Sequence, residues 1–96
     1  MQDSVETVRA EVYVSGRVQG VFFRQFTKDA AIKIGLTGYT QNLPDGRVKV
    51  VVEGDRKSVD MLLEKLRSGP RFSNVENLDV TWQEPSGEFL DFHIRS

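Results

Sequence analysis

Apolar and polar residues alternate in five stretches of the chain, which is the pattern of β-strands that bury one face of a sheet. The predicted strands cover residues 8–15, 36–41, 48–53, 75–83 and 90–94. Gly38 weakens the second strand, because glycine has no side chain to pack against its neighbours. Between the second and third strands, residues 42–46 read NLPDG, and proline followed by Asp-Gly favours a turn. We therefore expect these two strands to form a hairpin.

Two other stretches have the period of an amphipathic helix. The first begins at Val21 and contains two rows of residues that repeat every four positions: Phe22, Phe26 and Ala30, and Phe23, Thr27 and Ala31. Gly35 follows at a place suited to a left-handed C-cap. The second helix has Asp55 as a candidate N-cap and ends at the SGP of residues 68–70. Its apolar residues fall at i, i+3, i+4 and i+7: Val59, Leu62, Leu63 and Leu66.

The elements follow one another as β-α-β-β-α-β, with a short terminal strand. This order predicts an α+β fold of the ferredoxin-like (split βαβ) type, a two-layer sandwich with two helices on one face of a mostly antiparallel sheet. The first and third strands are expected to be neighbours. With 96 residues, we expect one domain over residues 1–96, with residues 1–7 as a flexible N-terminal tail. Four large aromatic residues are assigned to the core: Phe22, Phe23, Phe26 and Trp82.

The composition limits the classes of function. A net charge of −1 gives no basic surface for nucleic acid, and the RNA-recognition signature of four-stranded sheets is absent. The absence of cysteine excludes disulfides and thiolate chemistry and fits a reducing compartment. The single histidine, His93, forms no metal-binding cluster and is expected on the surface. Because no apolar run approaches the roughly 18 residues of a membrane span and MQDSVET is unlike a signal peptide, we expect a cytoplasmic protein without membrane partners. The size and surface of the chain favour a monomer, and its net charge argues against nucleic-acid partners.

The segment GRVQGVFFR, residues 16–24, has the composition of an anion-binding loop. It joins a predicted strand to a predicted helix, where the first helical N–H groups have no partner and the helix dipole is positive. Glycines let successive N–H groups turn toward an anion, and Arg24 adds a planar fork of donors for phosphate oxygens. The alternative is a tight turn with a solvated arginine. The segment is neither a Walker loop nor a dinucleotide-binding motif.

Asn42 lies where the second predicted strand meets the turn. Asparagine is common at such places for local reasons, but its amide can also orient a water molecule or a substrate oxygen. The first two strands are not adjacent in a split βαβ sheet. Spacing in the sequence therefore does not decide whether Asn42 lies near residues 16–24.

Four segments together resemble the acylphosphatase family: residues 12–27 (VYVSGRVQGVFFRQFT), 35–54 (GLTGYTQNLPDGRVKVVVEG), 66–70 (LRSGP) and 92–95 (FHIR). They occur in the family's order and span nearly the whole chain, and the first is highly specific. The resemblance implies a small standalone enzyme that hydrolyses the carboxyl-phosphate bond of acyl phosphates to a carboxylate and inorganic phosphate. It also implies the split βαβ fold with a fifth strand, and no metal or organic cofactor.

The resemblance assigns the site residues as well. The family's phosphate-binding arginine falls on Arg24, and its water-positioning asparagine falls on Asn42. Its phosphate-binding loop falls on six consecutive residues: Gly16, Arg17, Val18, Gln19, Gly20 and Val21. This assignment fits the residues available, because a carboxylate leaving group has a conjugate acid with a pKa of about 4 to 5 and needs no general acid. Positioning and charge stabilisation then account for most of the catalysis.

Three positions depart from the family's usual residues: Tyr39 replaces tryptophan, Gln41 replaces arginine and Ser96 replaces tyrosine. We expect the loss of a basic group at Gln41 to weaken the attraction of anionic substrates, and Tyr39 to alter packing beside the site. Two other functions remain as alternatives. One is a non-catalytic ferredoxin-like module that binds an anion, and the other, which the net charge disfavours, is a nucleic-acid-binding sheet.

Overall fold

The computed structural model describes residues 6–96, which form two helices and five strands. They follow the chain in the predicted order: β1 (Thr7–Arg17), α1 (Phe23–Ile34), β2 (Thr37–Asn42), β3 (Val48–Asp55), α2 (Arg56–Ser68), β4 (Asn74–Gln83) and β5 (Phe92–Arg95). Neither helix in this part of the chain is long and apolar enough to cross a membrane.

The prediction that residues 1–7 form a flexible N-terminal tail is wrong for residues 6 and 7. Thr7 already belongs to β1, and the carbonyl oxygen of Glu6 accepts a hydrogen bond from the N–H of Arg56. The backbone of these two residues is thus part of the fold, because it pairs with other backbone groups. The rest of the predicted tail, residues 1–5, lies outside the described residues.

The five strands form one sheet in the order β4-β1-β3-β2-β5. β1 pairs antiparallel with both β3 and β4, and β2 pairs antiparallel with β3. β5 joins the outer edge of β2 in the parallel direction. The predicted ferredoxin-like α+β fold is confirmed, together with the adjacency of the first and third strands and the β2–β3 hairpin.

Both helices bury their apolar residues in one core with alternating residues of the central strands, among them Val12, Val14, Val50 and Val52. On α1 the inward row is the second of the two predicted: Phe23, Thr27 and Ala31. Gly35 ends this helix with a φ of 92°, as expected for a left-handed cap. On α2 the four predicted apolar residues are all buried, and the Asp55 carboxylate accepts a hydrogen bond from the N–H of Lys57.

Three apolar residues are more exposed than the pattern predicts. Phe22 is 82% exposed, because it precedes the helix and its left-handed backbone takes it out of the helical register. Trp82 is 40% exposed on the edge strand β4, where the guanidinium of Arg56 lies 4.0 Å from its ring. Leu90 is almost fully exposed, since β5 begins only at Phe92. Assigning Phe22 and Trp82 to the core was therefore wrong; of the other two aromatic residues assigned to it, Phe23 is buried and Phe26 is only partly buried.

The sheet face opposite the helices carries a buried carboxylate, Glu53 of β3, whose side chain is only 5% exposed. Its Oε2 accepts hydrogen bonds from Arg9 Nη1 at 2.8 Å and from the N–H of Ser86 at 2.9 Å. Its Oε1 accepts one from the N–H of Gly87 at 3.0 Å. Burial acts to raise the pKa of Glu53, but these donors favour the charged form and lower the pKa to about 2. Glu53 thus holds the segment between β4 and β5 onto the sheet.

Candidate active site

The end of β1 and the loop that leads from it to α1 are shaped by three positive φ angles, at Gly16 (119°), Gly20 (75°) and Phe22 (63°). Gly16 lies at a register shift between β1 and β4, where a Cβ would collide with the carbonyl oxygen of Asn74. Gly20 has open space around it, so only its backbone conformation favours glycine there. The segment can therefore turn sharply from the strand into the helix.

The start of α1 presents backbone donors that no protein group uses. Phe22 is the N-cap and its side chain makes no capping hydrogen bond. The first helical bond runs from the N–H of Phe26 to the carbonyl oxygen of Phe22, at 3.0 Å, so the N–H groups of residues 23–25 have no partner within the helix. Within residues 6–96, the N–H groups of residues 18–22 also donate to no other protein group. Such a run of donors suits an anion.

Gln19 joins this loop to the turn that follows β2. Its Nε2 donates to the carbonyl oxygens of Leu43 and Arg47, at 2.8 and 2.9 Å. These two carbonyls flank the hairpin turn next to Asn42. This link could not be predicted from the sequence, because it joins the ends of β1 and β2, which β3 separates in the sheet. It resolves the question of whether Asn42 lies close to the loop.

Arg24 and Asn42 line one cleft of about 310 Å³, together with Gly20 of the loop. Arg24 comes from the first turn of α1, and Asn42 is the last residue of β2. Five further residues line the cleft: Val18, Phe22, Phe23, Gln25 and Ile94. The structure thus brings together the two residues that the sequence singled out, beside the unpaired backbone donors.

The guanidinium of Arg24 is oriented by a backbone carbonyl. Its Nη1 donates to the carbonyl oxygen of Arg95 on β5, at 3.2 Å. Among residues 6–96, Arg24 forms no salt bridge with a carboxylate. A neutral partner fixes the direction of the side chain while its positive charge and its other N–H groups remain available to an anion.

The other predicted loop residues contribute in different ways. Gly16 and Arg17 belong to β1 and pair with β4, so they anchor the start of the loop. Val18 and Val21 are buried in the core, which leaves only their backbone groups to meet a ligand. The side chain of Gln19 is already engaged with the hairpin turn. For residues 18–21, any phosphate contact must therefore come from the backbone, whereas the side chain of Arg17 is exposed to solvent.

The three residues that depart from the family pattern lie around the end of β5 rather than in the cleft. The guanidinium of Arg95 lies 3.6 Å from the centre of the buried Tyr39 ring. Gln41 Nε2 donates to the backbone oxygen of Ser96 at 3.0 Å. Both contacts hold β5 against β2, and β5 carries Ile94 of the cleft and the Arg95 carbonyl that Arg24 contacts.

His93 lies outside the cleft and is partly exposed, as predicted. Its Nδ1 is 3.2 Å from a carboxylate oxygen of Asp91, and its ring stacks on Tyr39. In the part of the chain that the structure describes, no three histidine, aspartate or glutamate side chains are grouped so that they could hold a metal ion.

Comparisons with known proteins identify the family of this chain. The family model described as Acylphosphatase matches residues 10–94. An acylphosphatase of Methanococcoides burtonii is 57% identical over 86 residues, covering 90% of each chain. One from Pyrobaculum calidifontis is 50% identical over 91 residues, covering 94% of this chain and 83% of the relative.

A solved structure shows the same similarity in three dimensions. The crystal structure of acylphosphatase from Bacillus subtilis matches with a TM-score of 0.90 and 34% sequence identity, covering 93% of this chain and 99% of that chain. The sequence matches and the shared fold lead to one conclusion. The chain belongs to the acylphosphatase family, the hydrolases of acyl phosphates.

Proposed function

We propose that the cleft between the β1–α1 loop and the end of β2 is the site of acyl phosphate hydrolysis. Arg24 and the backbone of residues 16–21 hold the phosphate, and Asn42 positions the attacking water. One observation carries this proposal: Gly20, Arg24 and Asn42, from three separate segments, line a single cleft.

The phosphate group binds where positive charge and backbone donors coincide. The unpaired N–H groups of residues 18–22 and the first turn of α1 surround its oxygens, and the helix dipole adds favourable potential there. Arg24 contributes two parallel donors from its planar guanidinium. These contacts strengthen as charge moves onto the oxygens in the transition state, which is what catalysis requires.

Asn42 aligns the water opposite the leaving group. The oxygen of the water forms a bond to phosphorus, and the bond between phosphorus and the acyl oxygen breaks with its electron pair going to the carboxylate. The proton of the water passes to a phosphate oxygen. Because the carboxylate is a weak base, it leaves without a general acid, and the reaction proceeds without a metal or organic cofactor.

The assignment of Arg24 is tested with benzoyl phosphate, whose hydrolysis is followed by the loss of ultraviolet absorbance in the presence of EDTA. We expect the wild type to turn over and Arg24→Ala to lose activity by about a thousand-fold while its Tm is retained. Arg67→Ala is the matched control, because Arg67 is an exposed arginine of α2 and its loss should leave turnover unchanged. Near-normal turnover in Arg24→Ala would reject the assignment.

Asn42→Ala tests the second role. We expect kcat to fall by about a hundred-fold or more while inorganic phosphate still inhibits at its wild-type concentration, because the amide acts on water rather than on the bound phosphate. Loss of phosphate inhibition with normal kcat would contradict the role. Phosphate binding by the wild type without any hydrolysis would favour the alternative of an anion-binding module.

The chain is further proposed to act as a monomer in the cytoplasm, as the sequence predicts. The small size of the domain supports the monomer, and the absence of cysteine fits a reducing compartment such as the cytoplasm. Sedimentation at micromolar concentration tests the oligomeric state, and a dimer would overturn it.

A further inference from the structure

Phe22 is a large aromatic residue at a position where the fold does not require one. Its backbone is left-handed (φ 63°, ψ 26°), a conformation that is strained for bulky residues and that glycine adopts readily. Its side chain is 82% exposed, so the ring adds little to the core. Helix N-caps favour side chains that accept hydrogen bonds, whereas Phe22 makes no capping bond. Strain of this kind is typical of functional positions.

The ring of Phe22 borders the candidate active site. Phe22 lines the same cleft as Arg24 and Asn42, and Ile94 of β5 lines it as well. Of the residues that line this cleft, all of which are described by the structure, Arg24 alone carries a charge. The surroundings of the phosphate position are therefore apolar or neutral.

We propose that Phe22 contacts the acyl group of the substrate and makes the enzyme select acyl phosphates whose acyl group is apolar and, above all, aromatic. This inference rests on the proposed function, because it takes the phosphate to lie between the loop and Arg24. With the phosphate there, the acyl group extends along the remaining lining of the cleft. The exposed ring of Phe22 and the side chain of Ile94 are the apolar surfaces at hand.

The chemistry of the cleft discriminates between acyl groups. An apolar group loses its contact with water when it meets the Phe22 ring, and an aromatic group also gains the ring-to-ring interaction. A second negative charge on the acyl group would find only Arg24, which the phosphate already occupies. Phe22 also leaves the first N–H groups of α1 to the phosphate, whereas a serine or aspartate at this N-cap would accept their hydrogen bonds.

The test compares kcat/KM for benzoyl phosphate and acetyl phosphate in the wild type, Phe22→Gly and Phe22→Trp. We expect the wild type to prefer benzoyl phosphate and Phe22→Gly to reduce that preference about ten-fold, the size of one aromatic contact, chiefly through a higher KM. Phe22→Trp should keep or increase the preference. Phe72→Ala is the matched control, since Phe72 is 68% exposed but is not part of the cleft, and it should leave the ratio unchanged.

The ratio separates a substrate contact from a structural effect. A loop loosened by glycine would lower kcat/KM for both substrates alike, and an unchanged ratio in Phe22→Gly would overturn the role of Phe22. Phe22→Ala, which keeps a Cβ and hence the restricted backbone, must reduce the ratio as well. If the wild type hydrolysed neither substrate, the proposed function would be rejected. If it hydrolysed both and the ratio did not respond to Phe22, only the present inference would be rejected.

Discussion

Replacing Glu53 by glutamine is expected to destabilise the protein in a way that depends on pH. The carboxyl group has an ordinary pKa of 4.5 and a pKa of about 2 in the folded protein. Its charged form is therefore favoured in the folded state. The difference of about 2.5 in pKa corresponds to roughly 3 kcal/mol of folding free energy, at about 1.4 kcal/mol for each pKa unit.

The direction of the pH dependence follows from the lowered pKa. Glu53 contributes its full stabilisation above pH 4.5, the pKa of the unfolded chain, and loses it as the pH falls toward about 2. In Glu53→Gln this contribution is absent at every pH. In addition, the glutamine side chain replaces one carboxylate oxygen by an NH2 group, which cannot accept a hydrogen bond. In either orientation this NH2 group faces donors that bonded to Glu53: Arg9, Ser86 and Gly87. The stability difference between wild type and variant should thus be largest at pH 7 and shrink between pH 4.5 and 2.

Urea unfolding at a series of pH values from 7 to 2 measures this difference. At pH 7 we expect a loss of about 3 kcal/mol, or a fall in Tm of roughly 10–20 °C for a domain of this size. Glu88→Gln is the control, because Glu88 contacts the same Arg9 but its side chain is 56% exposed, so its loss should cost less than about 1 kcal/mol. Equal stability of Glu53→Gln and wild type at pH 7, or a difference that stayed constant down to pH 2, would refute the reasoning.

Three other substitutions test how the fold supports the site. Gln19→Leu removes both hydrogen bonds to the hairpin turn and should lower kcat/KM by about ten- to a hundred-fold through misplacement of the loop; unchanged kinetics would show that the link is dispensable. Gly38→Ala places a Cβ against the carbonyl oxygen of Val51 and should cost roughly 3 kcal/mol in urea unfolding, with wild-type stability as the contrary result. Asp55→Ala removes the N-cap bond to Lys57 and should cost about 1 kcal/mol, seen as a lower Tm, whereas no change would mean that the cap adds nothing.

The fold was largely predictable because the repeat of buried positions in a strand or helix depends only on residues close together in the sequence. The alternation around Val12 and the i, i+3, i+4 spacing around Leu62 both correspond to buried faces in the structure. The exposure of Phe22 was not predictable. It depends on a left-handed backbone conformation at a non-glycine residue, which the spacing of apolar residues does not indicate. Leu90 fits the alternation of β5 but lies outside the strand, because pairing with β2 decides where that strand begins.

The candidate site was predictable only in its parts. Arg24 and Asn42 could be named from their chemistry and from the family resemblance, but their common cleft depends on how the strands are ordered in the sheet. The hydrogen bonds of Gln19 and the carbonyl of Arg95 connect segments that are remote in sequence. Such contacts leave no trace in the local composition, so only the three-dimensional structure reveals them.

The strand order also bears on how the chain folds. Neighbouring strands bring together residues as distant as Arg9 and Gln83, 74 positions apart, and Arg24 reaches Arg95 across 71 positions. The chain loses conformational entropy when such long loops close, before the contacts between the strands stabilise the fold. We therefore expect folding in milliseconds to seconds rather than microseconds. Because the carbonyl that orients Arg24 comes from β5, enzyme activity during refolding should return only when the last strand has docked, well after the helices have formed.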